Sequence, residues 1–313
     1  MKVLSPDNTF TPKEMDMKIS DHFKGYLFAF GATIFGSLVY LFSKAALLEL
    51  SLPRFGFWWF AWALTWNGLY ALKTNGFAEI SKLKKQDFRN LGIIAVFELA
   101  ATTCLYVAIE IAPNPAVPSF LRNLEYVFVA LLSIRFLNEK FNKYITAGAI
   151  ITFTGAFVIA ANDGLTGFSL KTALFMLGAT SFYGIRTILV KKNIVSITPL
   201  ILAINRAIFL FLFSFIFLIW WGENIMVSPP AMLNLAAGAF VGPFLTSIFQ
   251  YSALKYIEAS KTAVVLSTTG LFVMTGSIIM FAILPTQLQL LGGVVTMLGV
   301  TIMMWDSLRK KTP

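Results

Sequence analysis

A few charged side chains fall in the middle of long hydrophobic runs of this chain, and they are the residues whose chemistry most needs explaining. Glu98, Arg122, Glu125 and Arg206 each lie well inside a mostly apolar stretch. A charge in such a place costs about 2.5–3.5 kcal/mol on insertion scales, so it pairs, meets water or meets a ligand. Arg122 and Glu125 are three residues apart, hence on one helical face and spaced to pair. At about 1.5 Å per residue they sit roughly 9–14 Å from the end of their run, with Asn123 between them. Glu98 lies about 10 Å inside the run before it, and it and Glu125 are the carboxylates that could carry a coupling proton. Arg206, after Asn205, is expected to partner an acid or an anionic group. Lys44, Glu110, Arg135 and Arg186 lie nearer the ends of their runs, where long side chains reach back to water, and a structural role is expected of them.

Uncharged groups add a second set of candidates. Gln250, Tyr251, Thr268 and Thr269 offer hydrogen bonds within two late runs, although membrane helices often satisfy hydroxyls on their own backbone. Trp58, Trp62 and Trp66 form a stripe from which Trp62 could reach a ligand. Pro243, after Gly242, lacks an amide hydrogen, so it is expected to kink its helix and free backbone carbonyls as a hinge or cavity wall.

Positioning these groups is a matter of membrane helices. Of the 313 residues 57% are hydrophobic and only 13% charged, against about 25% charged in ordinary globular chains. A span needs about 20 apolar residues. Ten such runs are predicted, roughly 25 to 47, 54 to 72, 91 to 112, 116 to 137, 144 to 161, 170 to 190, 199 to 221, 232 to 254, 260 to 284 and 286 to 306. Turn formers such as Pro113-Asn114-Pro115, Asn162-Asp163-Gly164 and Ser228-Pro229-Pro230 separate them. Residues 1–23 are polar and are expected to be a flexible cytoplasmic tail.

The formal charge of +10 is spread over the loops, which makes it a topology signal rather than a sign of nucleic acid. Basic clusters such as Lys82, Lys84, Lys85 and Arg89 fall on the side shared by both termini, whereas the opposite loops hold only Arg54 and Lys171. Both termini are therefore expected in the cytoplasm, with the chain integral to a bacterial inner (plasma) membrane.

The chain also repeats itself. Leu27-Phe28-Ala29-Phe30-Gly31-Ala32-Thr33 returns as Leu174-Phe175-Met176-Leu177-Gly178-Ala179-Thr180, with Lys44 and Lys191 in register. Tyr106-Val107-Ala108-Ile109 returns as Tyr251-Ser252-Ala253-Leu254. Phe128, Val129, Ser133, Gly148 and Gly155 fall on Phe272, Val273, Ser277, Gly292 and Gly299. Glu98 then aligns with Pro243, and Glu125 with Thr269. Five spans per half is an odd number, so the second half must be inverted, a pattern typical of secondary transporters. The predicted fold is an all-α membrane protein of ten transmembrane helices in two inverted five-helix repeats, residues 24–161 and 162–313.

Phe128 to Gly155, with the Leu137-Asn138-Glu139-Lys140 turn before a Gly-containing helix, resembles the EamA domain of the drug/metabolite transporter superfamily. Tyr251-Ser252-Ala253-Leu254-Lys255-Tyr256-Ile257-Glu258-Ala259-Ser260 resembles the segment leading into that family's penultimate helix. Ile283-Leu284-Pro285 departs from the pattern where a second Glu-bearing turn would fall. The resemblance implies a core of spans 3, 4, 8 and 9, gates formed by spans 1, 2, 6 and 7, and spans 5 and 10 at the periphery.

The reading is a secondary active transporter of a small polar or amphipathic metabolite, amino-acid-like or similarly mixed in charge, working by alternating access with exchange or proton coupling. A channel or a non-transporting scaffold is the alternative. A membrane-embedded enzyme is disfavoured, because every aspartate lies outside the spans or at their ends and no span holds a histidine. No cofactor, metal or nucleic-acid partner is expected, only substrate and membrane lipid, and the oligomeric state stays open.

Overall fold

The structure, a computed structural model, describes residues 12–136, 143–161, 168–303 and 305. The Leu137-Asn138-Glu139-Lys140 turn, the Asn162-Asp163-Gly164 linker and the basic end at Arg309-Lys310-Lys311 lie outside the described residues. Every regular element among the described residues is helical. In order they are α1 (Pro12–Leu47), α2 (Leu52–Lys73), a 3-10 turn (Gly76–Lys82), α3 (Lys85–Ile111), α4 (Ala116–Leu121), α5 (Leu124–Phe136) and α6 (Lys143–Ala160). There follow α7 (Phe168–Asn193), α8 (Pro199–Trp220), α9 (Pro229–Ala239), a π-helical segment (Phe240–Thr246), α10 (Ser247–Tyr256), α11 (Ala259–Leu266), α12 (Thr269–Phe281) and α13 (Gln287–Met303).

Seven helical stretches are long and apolar enough to cross a bilayer: α1 from Phe23, α3, α6, α7 from Leu170, α8, Pro229–Tyr256 and Lys261–Phe281. Helix α2 and the α4 and α5 pair occupy expected runs without meeting that standard, and α13 is short at 17 residues. Large apolar side chains such as Leu72, Val96, Ile150, Phe157, Ile216 and Ile279 point outward. Water would not tolerate a surface of this kind, and lipid does. The chain is an integral membrane protein.

Prolines mark several helix starts, where the missing amide costs nothing: α2, α8 and α9 all carry one in their first turn. Residues 12–23, expected as flexible tail, are instead helical and continuous with α1. Pro12 sits at the first position, and the Lys, Glu and Met that follow favour helix.

The helices pair in a reciprocal pattern. Helix α3 packs along α7 and α1 along α10; α2 lies on α8, and α6 on α13. The last contact is built from glycine. A Cβ on Gly155 would lie 2.7 Å from the carbonyl oxygen of Gly292, and one on Gly292 would lie 2.7 Å from that of Gly155. Gly148 and Gly299 face each other in the same way. Only glycine lets two backbones come so close.

Two lysines cap helix ends at corresponding places. Lys44 Nζ donates to the carbonyls of Ile109, Glu110 and Ala112 at 3.2, 3.0 and 2.7 Å. Lys191 Nζ donates to those of Leu254 and Ile257 at 2.6 and 3.1 Å. Lys44 was expected to reach water and is instead buried. The carbonyls left open at the end of α3, at the negative end of its dipole, offer it a better partner.

Candidate functional site

Two helices break at the centre of the bundle. Between α4 and α5 the chain turns at Arg122-Asn123, with short-range bonds from Asn123 N to Phe120 O (3.1 Å) and from Glu125 N to Arg122 O (2.9 Å). Between α11 and α12 it turns at Ser267-Thr268, with Thr268 N donating to Val265 O (3.2 Å) and Leu271 N to Thr268 O (3.0 Å). A third departure is the π segment around Pro243, where the missing amide loosens the ladder.

These three irregular stretches surround a cavity of about 60 Å³. Its wall includes Tyr40, Tyr106, Ser119, Arg122, Asn123 and Tyr126 from one side, and Arg206, Gly242, Pro243, Thr246, Gln250 and Thr269 from the other. Of the residues expected to form a site, Arg122, Asn123, Arg206, Gly242, Pro243, Gln250 and Thr269 line this space. Asn123 also donates to Thr296 Oγ1 at 3.1 Å, tying the break to α13. Tyr251 stands one layer behind, buried, with the Arg186 guanidinium 5.9 Å from its ring centre. Trp62 does not line the cavity. It stacks on Trp66 at 5.9 Å and its indole nitrogen contacts Met232 Sδ at 3.3 Å, so its place is in the packing of α2 against α9.

Behind the cavity wall runs a chain of alternating charges. Arg206 Nε lies 2.9 Å from Glu98 Oε1, and Glu98 Oε2 lies 3.0 Å from Arg186 Nε. Arg186 Nη2 reaches Glu125 Oε1 at 4.0 Å, and Glu125 Oε2 lies 3.3 Å from Arg122 Nε. Thr102 donates to Glu98 at 3.1 Å and Thr187 to Glu125 at 2.9 Å. Tyr183 fills the middle, with Arg122 4.4 Å and Arg186 4.9 Å from its ring centre. Its hydroxyl shares a 2.9 Å hydrogen bond with Thr102.

The predicted pairing of Arg122 with Glu125 is present, and Arg206, for which an acid or an anionic group was expected, has Glu98 as its partner. Arg186 corrects the expectation that it snorkels to water, since it is 1% exposed and bridges both carboxylates. Helix α7 runs on to Asn193, which places Arg186 about 10 Å from the helix end. Glu98 and Glu125 are absent from the cavity wall, so the space meets guanidinium groups and neutral hydroxyls and amides. Tyr40, Tyr106, Tyr126 and Tyr183 were not anticipated. In an aromatic-rich sequence little distinguishes them, except that Tyr106 matches the candidate Tyr251 across the repeat and Tyr183 stands one turn before Arg186.

A second space of about 400 Å³ opens between α2, α3 and α8, lined by Phe55, Phe60, Thr102, Phe213, Phe217 and Glu110 among others. Tyr106 borders both spaces. Its ring is held by Phe55 at 4.9 Å and Trp59 at 6.0 Å.

An all-helical membrane bundle with interrupted helices around a central polar cavity has the build of a solute carrier. The EamA-like transporter family matches residues 23–161 and 170–305, and the chain belongs to that family. It is 23% identical over 220 residues to an uncharacterised transporter of Archaeoglobus fulgidus, covering 70% of each chain. A solved crystal structure shares the fold with a TM-score of 0.67 at 14% identity, over 92% of this chain and 99% of the other. The protein is thus a member of a membrane transporter family rather than of an enzyme family, which implies a small-molecule substrate and a lipid surrounding.

Proposed function

We propose that the protein is a secondary active transporter built from two inverted five-helix repeats, residues 24–161 and 162–313, that expose the central cavity alternately to either side of the membrane. The spans are α1, α2, α3, α4 with α5, α6, α7, α8, α9 with α10, α11 with α12, and α13, ten in all, with both termini cytoplasmic. The observation that carries this reading is a central cavity walled by both family matches and bounded by two helix breaks at corresponding positions, Arg122-Asn123 and Ser267-Thr268. The reciprocal helix pairing and the matching lysine caps support the same symmetry. Two similar halves can exchange conformations at little cost, which is how inverted repeats alternate access around a fixed site.

Glu98, Arg122, Asn123, Glu125, Arg206, Gln250, Tyr251 and Thr269 form the binding and coupling set, with Gly242 and Pro243 as the hinge. The cargo is a small polar or amphipathic metabolite, moved by exchange or with protons. Purified protein in liposomes preloaded with unlabelled metabolite should accumulate the labelled compound transiently and saturably. Simple equilibration without that overshoot would indicate a channel, and no flux of any metabolite class a scaffold.

A further inference from the structure

The charge chain does not balance. Among the described residues Arg122, Arg186 and Arg206 share only Glu98 and Glu125, so three guanidiniums stand against two carboxylates. All five lie in the membrane interior, where an uncompensated charge is expensive. Among the described residues the other acids on these helices are Asp87, at the start of α3, where it accepts from Lys84 N and Ser196 Oγ, and Glu110, at the end of α3 beside Lys44, and both are outside the central cavity wall. The ring of Tyr183 attracts two of the guanidiniums, but a quadrupole does not supply the missing negative charge.

The surplus has a definite place. Arg186 is enclosed between both carboxylates, and Arg206 is fixed by Glu98 and by a 2.9 Å hydrogen bond from Nη1 to Ser247 Oγ. Arg122 is held least, at 3.3 Å from one carboxylate oxygen, and is the most exposed of the three, opening on the cavity. Beside it is Tyr40, fully enclosed, whose hydroxyl proton has no acceptor among the described residues. A guanidinium fork and a phenol proton aimed into one space are a donor set for a carboxylate.

We infer that the cavity binds a carboxylate-bearing metabolite of net charge −1, whose carboxylate docks on Arg122 and Tyr40 and supplies the third negative charge of the network. The inference rests on the central cavity being the transport site and narrows its substrate to organic monoanions. The opposite wall sets the neutral groups of Gln250, Thr246 and Thr269 beside Arg206, whose charge Glu98 already meets at 2.9 Å, and offers no carboxylate for an ammonium group. The cavity volume suits a short chain.

Thermal unfolding of the purified wild-type protein is measured with 2-oxo and 2-hydroxy acids of three to six carbons, the matching 2-amino acids, the methyl esters of all of them, and sodium chloride at equal ionic strength. At saturation at least one oxo or hydroxy acid should raise Tm by about 5 °C, with its ester and chloride inert and its amino analogue weaker. Arg122→Gln leaves two guanidiniums for two carboxylates, so its ligand-free Tm should equal or exceed wild type while the acid-specific shift disappears. Tyr40→Phe should weaken binding at least fivefold and keep its Tm. Equal shifts from acids and esters, a shift reproduced by chloride, or no acid-specific shift in the wild-type panel would overturn the inference, whatever the variants do. Counterflow with the same compounds separates the two readings. Acid-specific stabilisation without counterflow would leave the anion site standing and remove the transporter, whereas saturable counterflow of esters or amino acids with the acids inert would do the reverse.

Discussion

Among the described residues Glu98 is the one carboxylate in contact with two guanidiniums at close range, Arg206 at 2.9 Å and Arg186 at 3.0 Å, while Thr102 donates to it at 3.1 Å. Replacing it by Gln keeps the shape and one acceptor but removes the charge, and leaves three guanidiniums facing Glu125 alone. Stripping one partner from a buried pair costs about 3–5 kcal/mol. Because the amide oxygen still accepts a hydrogen bond, the lower figure applies, about 3 kcal/mol, which lowers Tm by about 9 °C. The seven tryptophans make intrinsic fluorescence a direct readout in detergent. The double variant Glu98→Gln with Arg206→Met should recover about 2 kcal/mol, since it removes the orphaned cation with its partner. If Glu98 also carries the coupling proton, the single variant reconstituted in liposomes loses pH-driven accumulation and keeps part of its exchange. A loss below about 1 kcal/mol, typical of exposed pairs, would mean that water reaches the network and would refute the charge argument. So would a double variant no more stable than the single one.

Three further outcomes follow from the packing. Gly155→Ala places a methyl group 2.7 Å from the Gly292 carbonyl, so α6 and α13 must separate at a cost of about 1–3 kcal/mol, visible as a lower Tm. Lys44→Met and Lys191→Met each leave helix-end carbonyls unsatisfied and should destabilise by similar amounts, about 1–3 kcal/mol, in matched melts; a large inequality would count against equivalent roles. In a Cys104→Ser background, which removes the single native thiol, cysteines placed in the N-terminal tail or just after Trp305 should resist a membrane-impermeant maleimide applied to whole cells. Labelling of either would break the proposed topology.

The bundle was legible in the sequence because membrane helices announce themselves by length and apolarity, and the Gly148, Gly155, Gly292 and Gly299 matches proved to be the contact surface of α6 and α13. The Arg122 and Glu125 pair was legible because it is local, three residues on one helix. Arg206 and Glu98 were each read as buried charges in need of partners, but nothing in the chain could say they would choose each other across α8 and α3. Arg186 was misread for a physical reason. Lys191 and Lys192 resemble a membrane boundary, yet Lys191 turns inward to cap α10, and the helix carries on past it. The expectation of a cavity mixing carboxylates and guanidiniums failed in a related way. Composition counts which charges are present at a given depth, whereas the side of the wall on which each one lies is decided by pairing. Glu98 and Glu125 are spent on Arg186, whose fork reaches both, and that is what leaves Arg122 and Arg206 facing the empty space. Lysine at position 186 could hold one carboxylate but not span two. Arg186→Lys is therefore expected to free one acid toward the cavity, weaken carboxylate-dependent stabilisation and improve that by cationic esters of amino acids; unchanged ligand preference in that variant would show that Arg186 does not set the charge the substrate meets.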